Sequence, residues 1–333
     1  MPKIKHIQSI DISPPTISWL KNEIVDWQSA GDLYSVEGKM DKRVGRYHFA
    51  FSFDVAITSK DGQYAFLYKK LGTKGILLKD GELLREINRS YYHAETYEYP
   101  ACFLTLENGK TYLVHCPLNY CRLDFEDVET GEIMTNDATR KPDDFFHSRL
   151  EISPNNKYLL SKGWVWHPVE CVSVFDIEKS FEDPTQLDKP YITPNVNFDI
   201  NTASFIHDDL ILLGASNGSE PFDEEDTVSL NKGQIGLWDL TTNTINIVNI
   251  KGEFGNLYAI DDNFAWDLYK FPKLINLKTG DIIDKIETIN SGLQASSIIH
   301  HLDFVSQICF NRDINTIAIL SKEYRIDFIG LEN

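Results

Sequence analysis

Ser153-Pro154-Asn155-Asn156-Lys157-Tyr158-Leu159-Leu160 is the stretch whose reading decides the fold. A polar turn runs directly into an apolar segment. Asn and Asp side chains bond their own backbone at turns, so the phrase reads as a hairpin turn entering a strand. Working outward, the same grammar returns along the chain. Ile12-Ser13-Pro14-Pro15 precedes Ile17-Ser18-Trp19-Leu20, and Ser59-Lys60-Asp61-Gly62 precedes Tyr64-Ala65-Phe66-Leu67. Glu107-Asn108-Gly109-Lys110 leads into Tyr112-Leu113-Val114, and His207-Asp208-Asp209 into Leu210-Ile211-Leu212-Leu213. Asp261-Asp262-Asn263 and Asn311-Arg312-Asp313 introduce two further apolar runs.

The spacing is regular. The steps Pro14 to Asp61, Asp61 to Asn108 and Asn108 to Asn155 are each 47 residues. The steps Asn155 to Asp208 and Asp208 to Asp261 are each 53, and Asp261 to Asp313 is 52. A period near fifty fits one four-stranded blade. The chain is therefore expected to be all-β, a seven-bladed β-propeller forming one domain over residues 1–333. The expected blades are near 4–40, 48–90, 99–137, 147–187, 200–250, 254–290 and 300–333. The last unit ends after a third strand, near Leu331. Either that blade is three-stranded, or the amino-terminal residues supply its missing edge, a reading that lowers the count to six. Residues 17–27 also carry a helical pattern, with Ile17, Leu20, Ile24 and Trp27 on one face, but the phase of the repeat assigns strands there.

The second half of each unit repeats too, as in Asp127-Val128-Glu129-Thr130-Gly131 and Leu277-Lys278-Thr279-Gly280-Asp281. Each reads as a tight turn between third and fourth strands. At Ile235-Gly236-Leu237-Trp238-Asp239-Leu240-Thr241-Thr242 the sequence resembles the strand ending of WD40 repeats. Phe175-Asp176 is a weaker version, and Ser153–Leu160 resembles a turn phrase common in WD40 and related propellers. Histidines precede several turns: His6, His48, His93, His147 and His300. The resemblance implies that a histidine there bonds a buried Asp network. One Trp-Asp ending and no Gly-His pair make this a degenerate WD40-like pattern.

The formal charge is −18, from 32 Lys and Arg against 50 Asp and Glu. Nonspecific nucleic-acid binding needs a positive footprint, and anionic membranes repel this charge. It suits a soluble protein and steers basic partners inward. The first twenty residues hold no apolar run of signal-peptide length, and no segment has the length a membrane helix needs. The five cysteines are odd in number and irregularly spaced, which fits reduced thiols. These features predict a cytoplasmic monomer that binds neither nucleic acid nor membrane.

Loops joining blades, and loops joining second to third strands, open on one face of a propeller. Here they are long and aromatic: 38–48, 90–99, 137–147, 162–171, 188–199 and 215–233. Tyr47, Tyr91, Tyr92, Tyr97, Phe145, Phe146, Trp164, Trp166 and Phe222 are expected on one rim, beside His167 and the acidic run Asp223-Glu224-Glu225-Asp226. Aromatics beside charges are what interface hot spots look like. The opposing reading has these rings packing the loops against each other. The acidic run lacks the oxygen alternation and Gly of a calcium loop. His115-Cys116 and Cys121 lack a second metal-binding half. No catalytic motif of the nucleophile-elbow, zincin or phosphate-loop type occurs. The chain is expected to be non-enzymatic, without cofactor or metal, and to bind a basic protein partner, in one narrower form as an inhibitor or immunity-type protein. The alternative is an enzyme or small-molecule binder at the central channel, with His167, Glu170, Asp143 and Asp144 as acid and base.

Overall fold

Ser153 shows how the repeated phrase folds. Its Oγ accepts the amides of Tyr158 at 2.9 Å and Lys157 at 3.1 Å and donates to Asn155 Oδ1 at 2.8 Å. Asn156 takes φ 59°, where a short polar side chain costs least. Ser59 repeats the device: it accepts the Tyr64 amide at 2.9 Å and donates to Asp61 Oδ1 at 2.6 Å, with Gly62 at φ +79°. Each such turn joins the first two strands of an antiparallel sheet.

The computed structural model describes residues 2–38, 40–197, 199–216 and 228–332. Strand β1 (Lys3–Ile10) comes first. Blade 1 is β2 (Ser18–Leu20), β3 (Glu23–Asp26), β4 (Asp32–Tyr34) and β5 (Met40–Arg43). Blade 2 is β6 (Val55–Thr58), β7 (Tyr64–Tyr68), β8 (Lys74–Lys79) and β9 (Glu82–Asn88). Blade 3 has β10 (Ala101–Thr105), β11 (Thr111–His115) and β12 (Asp124–Asp127), with a single Glu126–Ile133 bridge beyond them. Blade 4 has β13 (Glu151–Ile152), β14 (Tyr158–Val165) and β15 (Val169–Asp176), then α1 (Ile177–Glu182). Blade 5 is β16 (Thr202–His207), β17 (Leu210–Ala215), β18 (Gln234–Asp239) and β19 (Thr244–Asn249). Blade 6 is β20 (Leu257–Ala259), β21 (Phe264–Asp267), β22 (Lys273–Asn276) and β23 (Ile282–Lys285). Blade 7 is β24 (Gln307–Asn311), β25 (Thr316–Leu320) and β26 (Ile326–Glu332), completed by β1.

The pairing of β1 with β26, Ile4 opposite Leu331 and Ile10 opposite Ile326, closes the ring. An unpaired edge strand is an aggregation hazard, and this pairing removes one. The amino-terminal residues do supply the missing edge, but the count stays at seven because Ser18–Arg43 build four strands of their own. Residues 4–10 therefore sit in blade 7, not at the start of blade 1. The turn expected at Ile12–Pro15 is likewise the connection into blade 1, whose first hairpin turns at Lys21, φ 56°, between Leu20 and Glu23.

Innermost strands stand side by side, with β2 between β6 and β24. Apolar layers fill the wedges between blades. Val25 and Trp27 pack on Ala65 and Leu67, Val114 and Phe125 on Leu159 and Phe175, and Ile17 and Ile24 on Ala318 and Phe328. Second strands are covered on both faces, which is why β7 is buried throughout.

The Trp-Asp ending works as a hairpin device: buried Trp238 donates Nε1 to Asn243 Oδ1 at 2.8 Å, and Asp239 Oδ1 accepts the Thr241 amide at 2.8 Å. Of the histidines implied by the WD40 resemblance to bond a buried aspartate, His6 does so through Ser9, whose hydroxyl lies 2.9 Å from His6 Nε2 and donates to buried Asp327 at 2.5 Å, while the others take different partners. Asp26 accepts the Thr16 hydroxyl at 2.8 Å, and Asp267 accepts the Asn256 amide at 2.9 Å and Lys273 at 2.5 Å. His147 bonds Ser161 and the Cys121 carbonyl, His93 packs against Trp166, and His300 against His301. His48 forms a backbone bridge to Ser29, while His6 lies 3.6 Å from Asp327.

Candidate protein-interaction face

The connections around blades 3 and 4 converge at one point of the long-loop face. Phe146 and Trp164 exchange backbone hydrogen bonds, Phe146 N–H to Trp164 O at 2.9 Å and the reverse at 3.2 Å. That registers their rings face to face, centroids 3.8 Å apart and planes at 7°. Gly163 makes the approach possible, since a Cβ there would stand 2.0 Å from Phe146 O. Tyr97 meets the Phe146 ring edge-on at 5.5 Å and bridges Ile298 through its backbone. Tyr97, Phe146 and Trp164 are all buried.

A second tier of rings stands on this base. Trp166 lies 5.3 Å from Phe146 and 5.1 Å from His93, and Tyr92 lies 4.7 Å from Tyr120. Tyr92 is 46% and Trp166 41% exposed, so this tier is open to solvent. Tyr120 donates its hydroxyl to Asp144 Oδ1 at 2.7 Å. Beneath the 90–97 connection, Arg89 donates to the carbonyls of Gly72, Ala94 and Tyr97 at 2.7–2.9 Å and stacks over the Tyr97 ring at 4.6 Å. That buried guanidinium sets the loop carrying Tyr92 and His93.

An apolar pocket opens next to the cluster, because blade 4 lacks a regular fourth strand. The chain leaves β15 as α1, and residues 188–196 return only briefly, Tyr191 N–H reaching Val174 O at 2.8 Å. The resulting cavity of about 330 Å³ is lined by Phe145, Val165, Val169, Cys171, Val172 and Pro194, with Asp143, Asp144 and Asp188 on its wall. Asp188 is held by Arg140 at 2.6 Å, whereas Asp143 and Asp144 are exposed. Burial pushes the Cys171 thiol up to about 12, so it stays protonated.

The structure thus brings together Tyr92, Tyr97, Phe146, Trp164 and Trp166 of the expected rim. Phe145 turns the other way, into the pocket. Tyr91 is exposed beside Tyr92, and Tyr47 is exposed on the blade 1–2 connection. His167 sits exposed at the tip of the β14–β15 hairpin with φ 107°, while Glu170 is buried and accepts Ser297 N–H and Oγ–H. Glu170 is thereby committed to a structural contact instead of to His167. Phe222, Asp223, Glu224, Glu225 and Asp226 lie outside the described residues. On the 38–48 connection, Arg43 pairs with Asp32 at 2.6 Å and Arg46 with Glu82 at 3.4 Å. Sequence reasoning missed Tyr120, His93, Ile298 and Asp144 as members of the cluster. Tyr120 carried a usable signal, an aromatic residue in the loop between the second and third strands of blade 3.

No family model matches the chain, and no curated protein matches it. Among solved structures, a chain from the Crystal Structure of Mitotic Checkpoint Complex matches 99% of this chain and 96% of its own length, with a TM-score of 0.59 at 11% identity. At that identity the likeness establishes the fold alone. Fold and topology define the class: a seven-bladed β-propeller. Among the described residues, no helix is long and apolar enough to cross a membrane.

Proposed function

We propose that this propeller is a non-enzymatic binding protein that takes a protein partner on the long-loop face at blades 3 and 4. One observation carries the reading. Two solvent-open rings, Tyr92 and Trp166, stand on a buried stack of Phe146, Trp164 and Tyr97. A ring already fixed by packing loses little side-chain entropy when a partner covers it, and such anchors dominate interface energies. The adjoining pocket accepts an apolar side chain, and Asp143 and Asp144 beside it, within a net charge of −18, favour a basic partner. The likeness to a chain of a multiprotein complex accords with this reading. In its narrower form the protein masks a basic protein as an inhibitor or immunity-type factor. All five cysteines are free, which suits the reducing cytoplasm.

The test is capture of partners by the immobilised protein at low and high salt. Trp166→Ala and Tyr92→Ala should abolish capture, while Ile314→Ala, on the opposite face, should not. Capture should weaken with salt, because steering between exposed charges is screened. An acidic partner held regardless of salt, or capture indifferent to both aromatic substitutions, would refute the proposal.

A further inference from the structure

The central channel is built differently from the outer surface. Its cavity of about 620 Å³ takes lining from the innermost strand of every blade. That volume lies within the range of small-ligand pockets, about 300–1,000 Å³. On the long-loop face the connection between blades 6 and 7 reaches across the axis. Gln294 Nε2 donates to Glu98 Oε2 at 2.7 Å, Glu98 N–H donates to Ser297 O at 3.1 Å, and Ser297 is bonded to Glu170 of blade 4. Blades 2, 3 and 4 stand across the ring from that connection, so these bonds carry it over the channel. Towards the other face, Arg312 of blade 7 also spans the axis, donating to Phe205 O at 2.6 Å and Glu151 Oε1 at 3.3 Å.

The charge inside opposes the charge outside. In a protein of net charge −18, the half-buried wall carries the cations Lys70, Arg149, Lys162 and Arg312 against the carboxylates Glu98 and Glu151. Adding Glu170, 3.9 Å from Arg149, leaves cations ahead by four to three. The rim adds Lys21, Lys60 and Asp313. Burial opposes ionisation of Glu98, yet Lys70, Gln294, Arg149 and Lys162 outweigh it and hold that carboxyl below its usual range. Glu151 is held down in the same way, Lys162 and Arg312 outweighing its burial. Both carboxylates are therefore charged, and the cations still exceed them.

Arg149 is incompletely satisfied. Its side chain is 10% exposed, and its backbone is strained at φ 41°. Nη2 donates to Asn201 O, but the buried Nε has no hydrogen-bond partner among the described residues. Ser306, on the same wall and 4% exposed, also has an unpartnered Oγ. Buried donors without acceptors are costly, and a bound anion would satisfy them.

We propose that the channel binds a small anion carrying at least two negative charges, with Arg149, Lys70 and Lys162 as its ligands. Phosphate and carboxylate groups share the chemistry these donors recognise, and the test separates them. Inorganic pyrophosphate and citrate are each titrated into the intact protein, with heat and unfolding midpoint as readouts. At least one should bind saturably at one site and raise the midpoint, and the one that binds tighter names the anion class. Arg149→Gln should weaken binding by about tenfold or more, the loss expected for a hydrogen bond to a charged group. Should that variant not fold, Lys70→Gln and Lys162→Gln read the same loss. Lys251→Gln, which removes an exposed partner of Asp281 on the outer edge, should bind as the parent does. The proposal is overturned if neither probe binds at millimolar concentration, if the channel variants bind like the parent, or if Lys251→Gln weakens binding as much as they do. Partner capture through Trp166 is independent of this result.

Discussion

Phe146 and Trp164 lie face to face, 3.8 Å between centroids, on segments that also share two backbone hydrogen bonds. They form the floor on which Tyr92 and Trp166 stand. Floor and contact tier should separate cleanly under mutation. Trp164→Ala empties a buried site and should cost about 3–5 kcal/mol of stability. Trp166→Ala removes a half-exposed ring and should change stability by no more than about 0.5 kcal/mol. Chemical denaturation of both variants, set beside partner capture, checks this: Trp166→Ala should lose capture while remaining stable.

Closure of the ring through β1 makes a second prediction. Removing residues 1–11 exposes the outer edge of β26, whose amides and carbonyls now pair with Lys3–Ile10. The truncated protein should unfold at lower temperature and self-associate through that edge. Adding back a peptide of residues 1–11 should restore the monomer. Size-exclusion chromatography with and without the peptide reads both outcomes, and a truncated protein that stays monomeric and equally stable would contradict the closure.

The parts of this architecture that were legible in the sequence are those encoded locally. Ser153 and Ser59 fix their turns with bonds to residues two to five positions away, so the phrase is visible in the chain. The period of those turns carries the blade count. The first unit was misphased because Pro14 and Pro15 look like a turn but belong to a connection, while the true turn at Lys21-Asn22 has no Gly or Pro. The site was only half legible. Phe145 and Phe146 are adjacent in extended chain, so their rings point to opposite sides, and composition does not tell which side is the cluster. The contact of Glu170 with Ser297 spans 127 positions, and the charge inversion of the channel is assembled from cations of blades 2, 4 and 7. Neither leaves a local trace.

His147 supplies a pH prediction. The Cys121 carbonyl can only accept, so Nε2 carries the proton and Nδ1 accepts from Ser161. Burial pushes this imidazole down to about 3 from an ordinary 6.5. The folded state thus keeps it neutral where the unfolded chain takes up a proton. Its contribution is complete above pH 6.5 and is lost as pH falls towards 3. Over that window a single such group removes about 1.4 kcal/mol per pH unit. His147→Leu should be less stable than the parent at neutral pH, and the gap should narrow steadily on acidification. A gap that is constant with pH would show that the imidazole takes up its proton in the fold as readily as in the unfolded chain.

Asp267 and Lys273 form a buried pair, Nζ to Oδ2 at 2.5 Å, at the end of β21 and start of β22. The lysine also reaches Tyr269 O at 2.6 Å, while Asp267 Oδ1 accepts the amides of Gly255 and Asn256 at 3.0 and 2.9 Å. This cluster ties the hairpin of blade 6 to the connection entering it. Lys273→Met strands a carboxylate in a dry site and should cost about 3–5 kcal/mol. Adding Asp267→Asn removes the charge while an amide oxygen still accepts both backbone amides, so the double variant should be more stable than Lys273→Met alone. Burial already pushes the Asp267 carboxyl upward despite Lys273, and without the lysine it rises further. A raised carboxyl stabilises the fold below its own titration and loses that contribution as pH rises. Lys273→Met should therefore recover towards the parent on acidification, whereas the double variant should not. Urea titrations at neutral and acidic pH distinguish the two, and equal losses at both pH values would mean that Lys273 does not govern the titration of Asp267.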